Sequence, residues 1–371
     1  MDLRPFKLER YFAEYEFKAR FLLSASDCEG VAMAELLEMA GPESLDLWRN
    51  LKLGYTETPG HARLRTEIAG LYAGLSPEEI VVAAPEEAIF LAFQTLLEPN
   101  DHVIAVSPAY QSLSEIARSR GCLVTPWPLE LADGAWRLDL DRLEKAATPR
   151  TRMLVLNFPH NPTGAMISRA DLETIVAFAR ERGIRIFSDE MYRYLERDRG
   201  LRLPPVCDLY EKGISLSGLS KSLALPGLRI GWLAAGDRSV IERCLALKDY
   251  TTICNSAPGE ILAVIALQNR ERILERNLGI IRGNVKLAEE FFAERPALFS
   301  WIGPRAGSVA FPRWLGPGTA EDFCRDVLDE AGIMIVPGIM FDHPGGHFRV
   351  GLGRTNFGQA LAALGGFLRK A

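Results

Sequence analysis

A chain of 371 residues is longer than one hydrophobic core usually serves, so a large domain with a smaller companion is expected. With 48% hydrophobic and 25% charged residues, disorder is excluded as the default state. The 43 basic and 48 acidic side chains are interspersed, giving a formal net charge of -5 and no basic stripe able to neutralise a nucleic-acid backbone.

The first residues, MDLRPFKLERYFAEYEFKARFLLSAS, carry charge throughout, and their one apolar stretch is too short for a signal-peptide core. No run reaches the roughly 18 apolar residues of a membrane span. The six cysteines (Cys28, Cys122, Cys207, Cys244, Cys254 and Cys324) form no Cys-x-x-Cys pair and have no histidine at metal-ligand spacing. They read as buried thiols of a reducing compartment, so a cytoplasmic protein without a metal centre is expected. Residues 1–40 do not read as a sheet strand and are expected to form an arm and part of the smaller domain.

Between about residue 60 and residue 235, short apolar runs alternate with longer amphipathic stretches. Strands are predicted at 103–106, 123–127, 153–157, 184–188, 214–217 and 230–235, with helices at 107–120 and 169–182. Leu172, Ile175, Val176 and Phe178 supply the apolar face of the latter. Such alternation predicts a mostly parallel sheet covered by helices, in a large domain over 41–257. A long helical stretch then runs to about residue 294, followed by short strands at 308–311 and 348–351 among helices. That mixture predicts a smaller α+β domain over 258–371, with no internal repeat and no low-complexity segment.

In an open α/β sheet the ligand lies beyond the carboxyl ends of the strands, so the polar residues just after them are the first candidates. The segment SLSGLSKSLALPGLRIGW follows a strand and sets Lys221 among serines, with Arg229 further on. Alone, a loop lysine is a solvated charge. NFPHNPTG ends another strand with Asn161 before Pro162, and proline biases its predecessor towards an extended backbone, which can aim the amide into a crevice. RIFSDEMYRYL closes a third strand on Asp189 and brings Tyr192 into the following turn. An acid in that place, taken alone, equally well caps a helix.

Together, in this order and spacing, these pieces resemble the class I/II aminotransferases of the fold-type I family, over nearly the whole chain from Tyr55 to Arg349. The resemblance implies an α/β fold-type I transferase with pyridoxal 5'-phosphate (PLP) held as a Schiff base on Lys221. The chemistry accounts for the residue types. A primary amine is needed to condense with the cofactor aldehyde. A carboxylate, Asp189 by the resemblance, keeps the pyridine nitrogen protonated so that the ring accepts electrons. Asn161 and Tyr192 are implied as partners of the phenolic oxygen, favouring its ionised form. Arg229 is implied as the phosphate-binding fork of donors. Tyr110, in SPAYQSL, would stack on the cofactor, and Tyr55, in GYTETPGHARLR, would reach the phosphate of a neighbouring subunit, which implies a homodimer with shared sites. Arg349, in GGHFRVGLG, would grip the substrate α-carboxylate, with Asn161 and Gly30 completing the substrate set. A cis Asn161-Pro162 bond is also implied.

The chain departs from this family at the phosphate cup. Where a small turn with free N–H groups usually opens a helix, it has Ala84-Pro85-Glu86. Pro85 has no N–H to give, and Glu86 brings an acid towards a dianion. Gly218 stands where a hydroxyl residue is common, leaving Ser217 and Ser220 as partial replacements. Since every catalytic position is retained, a working enzyme is expected: an aminotransferase moving an α-amino group from an amino acid to a 2-oxo acid. Two alternatives stand beside it. RYFAEYEFKARFLLSASDCEG, SPAYQSL, TPWPL and NFPHNPTGA also resemble a capreomycidine synthase-like branch that can cyclise an arginine derivative. The altered cup also suits a non-catalytic relative. Asp27 and Glu29, in SASDCEG, are candidates for recognising a cationic substrate side chain, or else solvated loop acids.

Overall fold

Segments such as IVVA at Ile80–Ala83 are buried at every position, the pattern of a strand covered on both faces. A computed structural model describes residues 3–369 and assembles these segments into an eight-stranded sheet. After a short first strand, β1 (Phe21–Leu22), the sheet strands are β2 (Ile80–Ala83), β3 (His102–Ser107), β4 (Leu123–Ala132), β5 (Ala135–Leu138), β6 (Thr151–Asn157), β7 (Arg185–Asp189), β8 (Gly213–Gly218) and β9 (Gly231–Ala234). Their order in space is β2-β9-β8-β7-β6-β3-β4-β5. The central run from β8 to β4 is parallel, while β9 and β5 run against their neighbours. Successive residues feed opposite faces: Val103, Val155, Phe187 and Ile214 enter one core, and Ile104, Leu154, Leu156 and Ile186 the other.

The first six helices are α1 (Lys7–Tyr15), α2 (Met33–Glu38), α3 (Pro42–Arg49), α4 (Ala62–Ala69), α5 (Pro85–Leu96) and α6 (Ser112–Ser119). The helix expected at 107–120 starts only at Ser112. Two sheet strands went unforeseen. β2 is four residues of unbroken apolar character, which periodicity alone does not separate from helix. β5 returns from β4 through Asp133 and Gly134, both at positive φ (51° and 73°), with Ala132 opposite Ala135. That is a two-residue hairpin turn of the Asp-Gly kind, a signal the sequence did carry.

The long helical stretch is two helices, Ala257–Gln268 and Arg270–Ala293, meeting at Asn269. Beyond it lies a three-stranded sheet in which Phe348–Gly351 runs between Val309–Ala310 and Val336–Pro337. The expectation that residues 1–40 hold no strand is corrected: Phe21 and Leu22 pair in parallel with Ile333 and Met334. Two residues are too few for alternation to show.

Ahead of β1, α1 bridges two parts of the molecule. The Lys7 N–H donates to Gln111 Oε1 and Arg4 pairs with Glu115, both on the α6 side. Lys7 Nζ pairs with Asp342 and Tyr11 Oη donates to Ile335 O, both in the C-terminal part. Cys254 is half-buried and the other five thiols are buried, all of them unpaired. Among the described residues, no helix is long and apolar enough to cross a membrane.

Candidate active site

The parallel strands β6, β7 and β8 end side by side, with Asn157 opposite Asp189 and Asp189 opposite Leu216. Asn157 fastens these ends together. Its Nδ2 donates to Asp189 O at 3.2 Å, and its Oδ1 accepts from the Asn161 N–H at 3.0 Å. The Asn161-Pro162 peptide is cis, as the resemblance implied. Asp189 is buried, with Oδ1 accepting from the Met191 N–H at 3.1 Å, and burial raises its pKa to about 6.

Lys221 lies just beyond β8. Its Nζ donates to Ser26 Oγ at 2.8 Å and stands 6.0 Å from the centre of the Tyr192 ring. Burial lowers its pKa and nearby Arg349 adds to the effect, while Asp27, Glu9 and Asp189 oppose it. The Tyr192 ring packs against Gly307, a glycine at φ 77° where a Cβ would come within 3.4 Å of the ring. Its buried hydroxyl makes no hydrogen bond of good geometry among the described residues, and burial raises its pKa against the pull of Arg349 and of Ser26 close by. Arg349, on Phe348–Gly351, is 1% exposed. Its Nη1 donates to Asn161 Oδ1 at 3.2 Å and its Nη2 to Ser24 O at 2.9 Å, leaving Nε unpartnered.

Arg229, Glu86 and Tyr110 lie near one another, and Ser220 directly precedes Lys221. Ser220 Oγ is buried without a partner. Arg229 is exposed, in the left-handed region at φ 55°, and close enough to Glu86 and Tyr110 to lower both their pKa values. Tyr110 Oη donates to Glu9 Oε1 at 2.7 Å, and the Phe6 ring lies 4.8 Å away. The missing hydroxyl at 218 has a steric reason: a Cβ there would lie 3.0 Å from Gly231 Cα. A Cβ at Gly231 would in turn lie 2.8 Å from Pro85 Cγ, so the proline ring and the two glycines fit as one unit.

The candidates therefore gather at the strand ends, with one exception. Tyr55 is 92% exposed and outside the site of its own chain. Gly30 sits beside the Lys221 turn, where the adjacent Val31 N–H donates to Ala224 O at 3.3 Å. Asp27 and Glu29, candidates for a cationic substrate side chain or else loop acids, have partners within the chain. Both Asp27 oxygens accept from Arg354 at 3.0 Å, and Glu29 Oε2 accepts from the Thr355 N–H and Oγ1. Ser26, Glu9 and Asn157 were missed. Ser26 lies next to the singled-out acid, whereas nothing in the sequence marks Glu9.

A buried amine and a buried carboxyl at the carboxyl ends of a mostly parallel sheet define the site of a fold-type I enzyme. The chain belongs to the family described as "Aminotransferase class I and II", whose model matches residues 33–360, and its cofactor is pyridoxal 5'-phosphate. The chain is 34% identical to a PLP-dependent aminotransferase from Streptococcus suis 89-1591, with TM-score 0.93 over 100% of this chain and 99% of that one. It is 30% identical to capreomycidine synthase of Streptomyces vinaceus, over 96% of this chain and 92% of that protein. It is also 27% identical to the PLP-dependent cyclase OrfR, with TM-score 0.90 over 100% and 98% of the two chains. The residues present fit the cofactor. The hydroxyls of Tyr192 and Ser220, unpartnered among the described residues, are two groups that a phenolic oxygen and a phosphate would satisfy.

Proposed function

We propose that this protein is an aminotransferase that moves the α-amino group of an amino acid to a 2-oxo acid. The observation that carries the reading is Lys221 Nζ, an amine of lowered pKa between Ser26 and the Tyr192 ring. When bound, PLP supplies an aldehyde for amine exchange and a ring that accepts the electron pair released at the substrate Cα. The chain does the rest. Lys221, neutral more often than an ordinary lysine, would hold the cofactor and would be the base for the proton at Cα. Asp189 would hold the pyridine nitrogen, and a cation there would favour the ionised carboxyl that burial alone disfavours. Tyr192 and Asn161 would hold the phenolic oxygen, Ser220 and Arg229 the phosphate, and Tyr110 would cover the ring. Arg349 receives the α-carboxylate, and its Nε, unpartnered in the chain, supports this role.

A second reading is favoured by the similarity to capreomycidine synthase, which spans nearly the whole of both chains. In it, the same Lys221 chemistry ends in ring closure or elimination. Incubating the enzyme with a panel of amino acids plus pyruvate or 2-oxoglutarate separates the two. New amino acid formed from the 2-oxo acid supports transamination. A cyclised or eliminated product without it overturns transamination in favour of the second reading.

The reading is of a cytoplasmic enzyme of amino-acid metabolism working as a homodimer. Leu53 (84% exposed), Tyr55 (92%), Tyr250 (88%) and Ile253 (51%) are exposed apolar residues that a second copy would cover. Sedimentation at micromolar concentration is expected to give a dimer, and a fully active monomer would refute it.

A further inference from the structure

The first turn of α5 carries two acids in contrasting surroundings. Glu87 is neutralised: its Oε1 accepts from Thr251 Oγ1 and from Thr252 Oγ1 at 2.8 Å, and the fully buried Lys248 amine lies 3.7 Å from its Oε2. Glu86 has no such cation. Its one hydrogen bond among the described residues is donated by Ser112 Oγ at 3.1 Å. Around it stand Glu9 from α1, Asp189 from the end of β7, Tyr110 ahead of α6, and Arg229 beyond β8. Burial and the two acids push its pKa up to about 7, against the pull of Ser112 and Arg229 and the modest preference of a helix N-terminus for negative charge. The same turn lacks the N–H that Pro85 cannot give, and a hydroxyl at 218 is excluded by Gly231.

We propose that Glu86 binds the cofactor phosphate as a neutral carboxylic acid, its O–H donating where Pro85 and Gly218 offer no donor, so that cofactor capture takes up a proton. This rests on the PLP site described above. A carboxylate against a phosphate dianion repels it, whereas a carboxylic acid makes a short, charge-assisted bond to it. The arriving dianion further favours the protonated form of Glu86. The proton comes from solvent and no other bond changes. The sign follows. Below pH 7 the acid is mostly protonated beforehand and affinity is insensitive to this group. Above pH 7 binding must draw in a proton, and the dissociation constant rises by up to about tenfold per pH unit.

The test uses pyridoxamine 5'-phosphate, which carries the phosphate but no aldehyde to condense with Lys221. Its binding to the apoenzyme is followed by calorimetry between pH 6.5 and 8.5, in two buffers of different ionisation heat, for wild type and Glu86→Gln. The amide of the variant donates at every pH. Wild-type affinity is expected to fall about fivefold to tenfold more than the variant's between pH 7.5 and 8.5, with close to one extra proton taken up at pH 8. Equal slopes and equal proton uptake would overturn the proposal. If the variant does not fold, wild-type melts with and without sulfate, a dianion over this range, decide the matter. A larger sulfate shift at pH 6.5 than at pH 8.5 supports the role of Glu86, and equal shifts refute it. Absence of binding by wild type at any pH, together with no Lys221-linked cofactor absorbance on adding PLP, would instead remove the site assignment on which the proposal stands.

Discussion

Around Lys221 several polar groups are fixed by partners from elsewhere in the chain: Ser26 holds the amine, Asn157 ties Asn161 to the end of β7, and Ser24 and Asn161 hold Arg349. At the start of α5 the construction is different. There the donors usual for the family are replaced by a proline, a glycine and an acid, and the fit of Pro85 over Gly231 and Gly218 shows the replacement to be one packed solution. The difference follows from what each end must do. Proton transfer at Cα requires specific groups at specific places. A phosphate tethered through a covalent bond elsewhere needs only enough donors in total.

The sharpest way to break this comparison is at the amine. Lys221→Ala is expected to lower turnover by at least about 10³-fold, since no other described amine is placed to attach the cofactor or carry the proton. Turnover near the wild-type level would refute the assignment of the two ends.

Asp189→Asn comes next and separates activity from stability. Activity is expected to fall by roughly 10²-fold or more, because an amide does not hold the pyridine nitrogen protonated. The apoenzyme is expected to gain stability at the same time. Burial raises the folded-state pKa from 3.8 to about 6, so the native state binds more protons than the unfolded state in that window. Stability therefore falls as pH rises through it, and a deficit of roughly 3 kcal/mol persists above it. Asparagine removes the deficit. Thermal melts of the apo forms at pH 5 and pH 8 check this: the variant should gain on wild type about twice as much at pH 8 as at pH 5, and an unchanged difference would contradict it.

The smallest effect belongs to Asp27→Asn. Its partner Arg354 is within the chain, so the loss is expected to be about 1 kcal/mol of stability, with KM for basic and neutral amino acids changing alike. A KM rise confined to basic substrates would return Asp27 to the substrate side of the site.

Much of the sheet was legible because parallel strands buried on both faces leave continuous apolar runs, as in β3 and β6. Asn161, Asp189, Tyr192 and Lys221 were legible because each closely follows or ends such a run. What was not legible is contact between distant segments. Ser26 meets Lys221 across 195 positions and Glu9 meets Tyr110 across 101, and neither pairing leaves a local pattern. The match of Gly218, Gly231 and Pro85 was hidden for the same reason. It spans three adjacent strand ends, so Gly218 read as a lost donor when it is a packing requirement.

The double attachment of α1 has a mechanical consequence. Its first residue, Lys7, holds Gln111 through its N–H and Asp342 through its Nζ, Arg4 just ahead of the helix pairs with Glu115, and Tyr11 holds Ile335 O in the C-terminal part. A body moored on both banks cannot follow both when they separate. Any widening of the cleft must therefore slip one mooring, and the Lys7–Asp342 pair is the weaker, being exposed and open to screening by salt. Ionic strength thus weakens the ion pairs Lys7–Asp342 and Arg4–Glu115, while the Tyr11 bond to Ile335 O and the Tyr110 bond to Glu9, neither an ion pair, keep the helix attached on both sides.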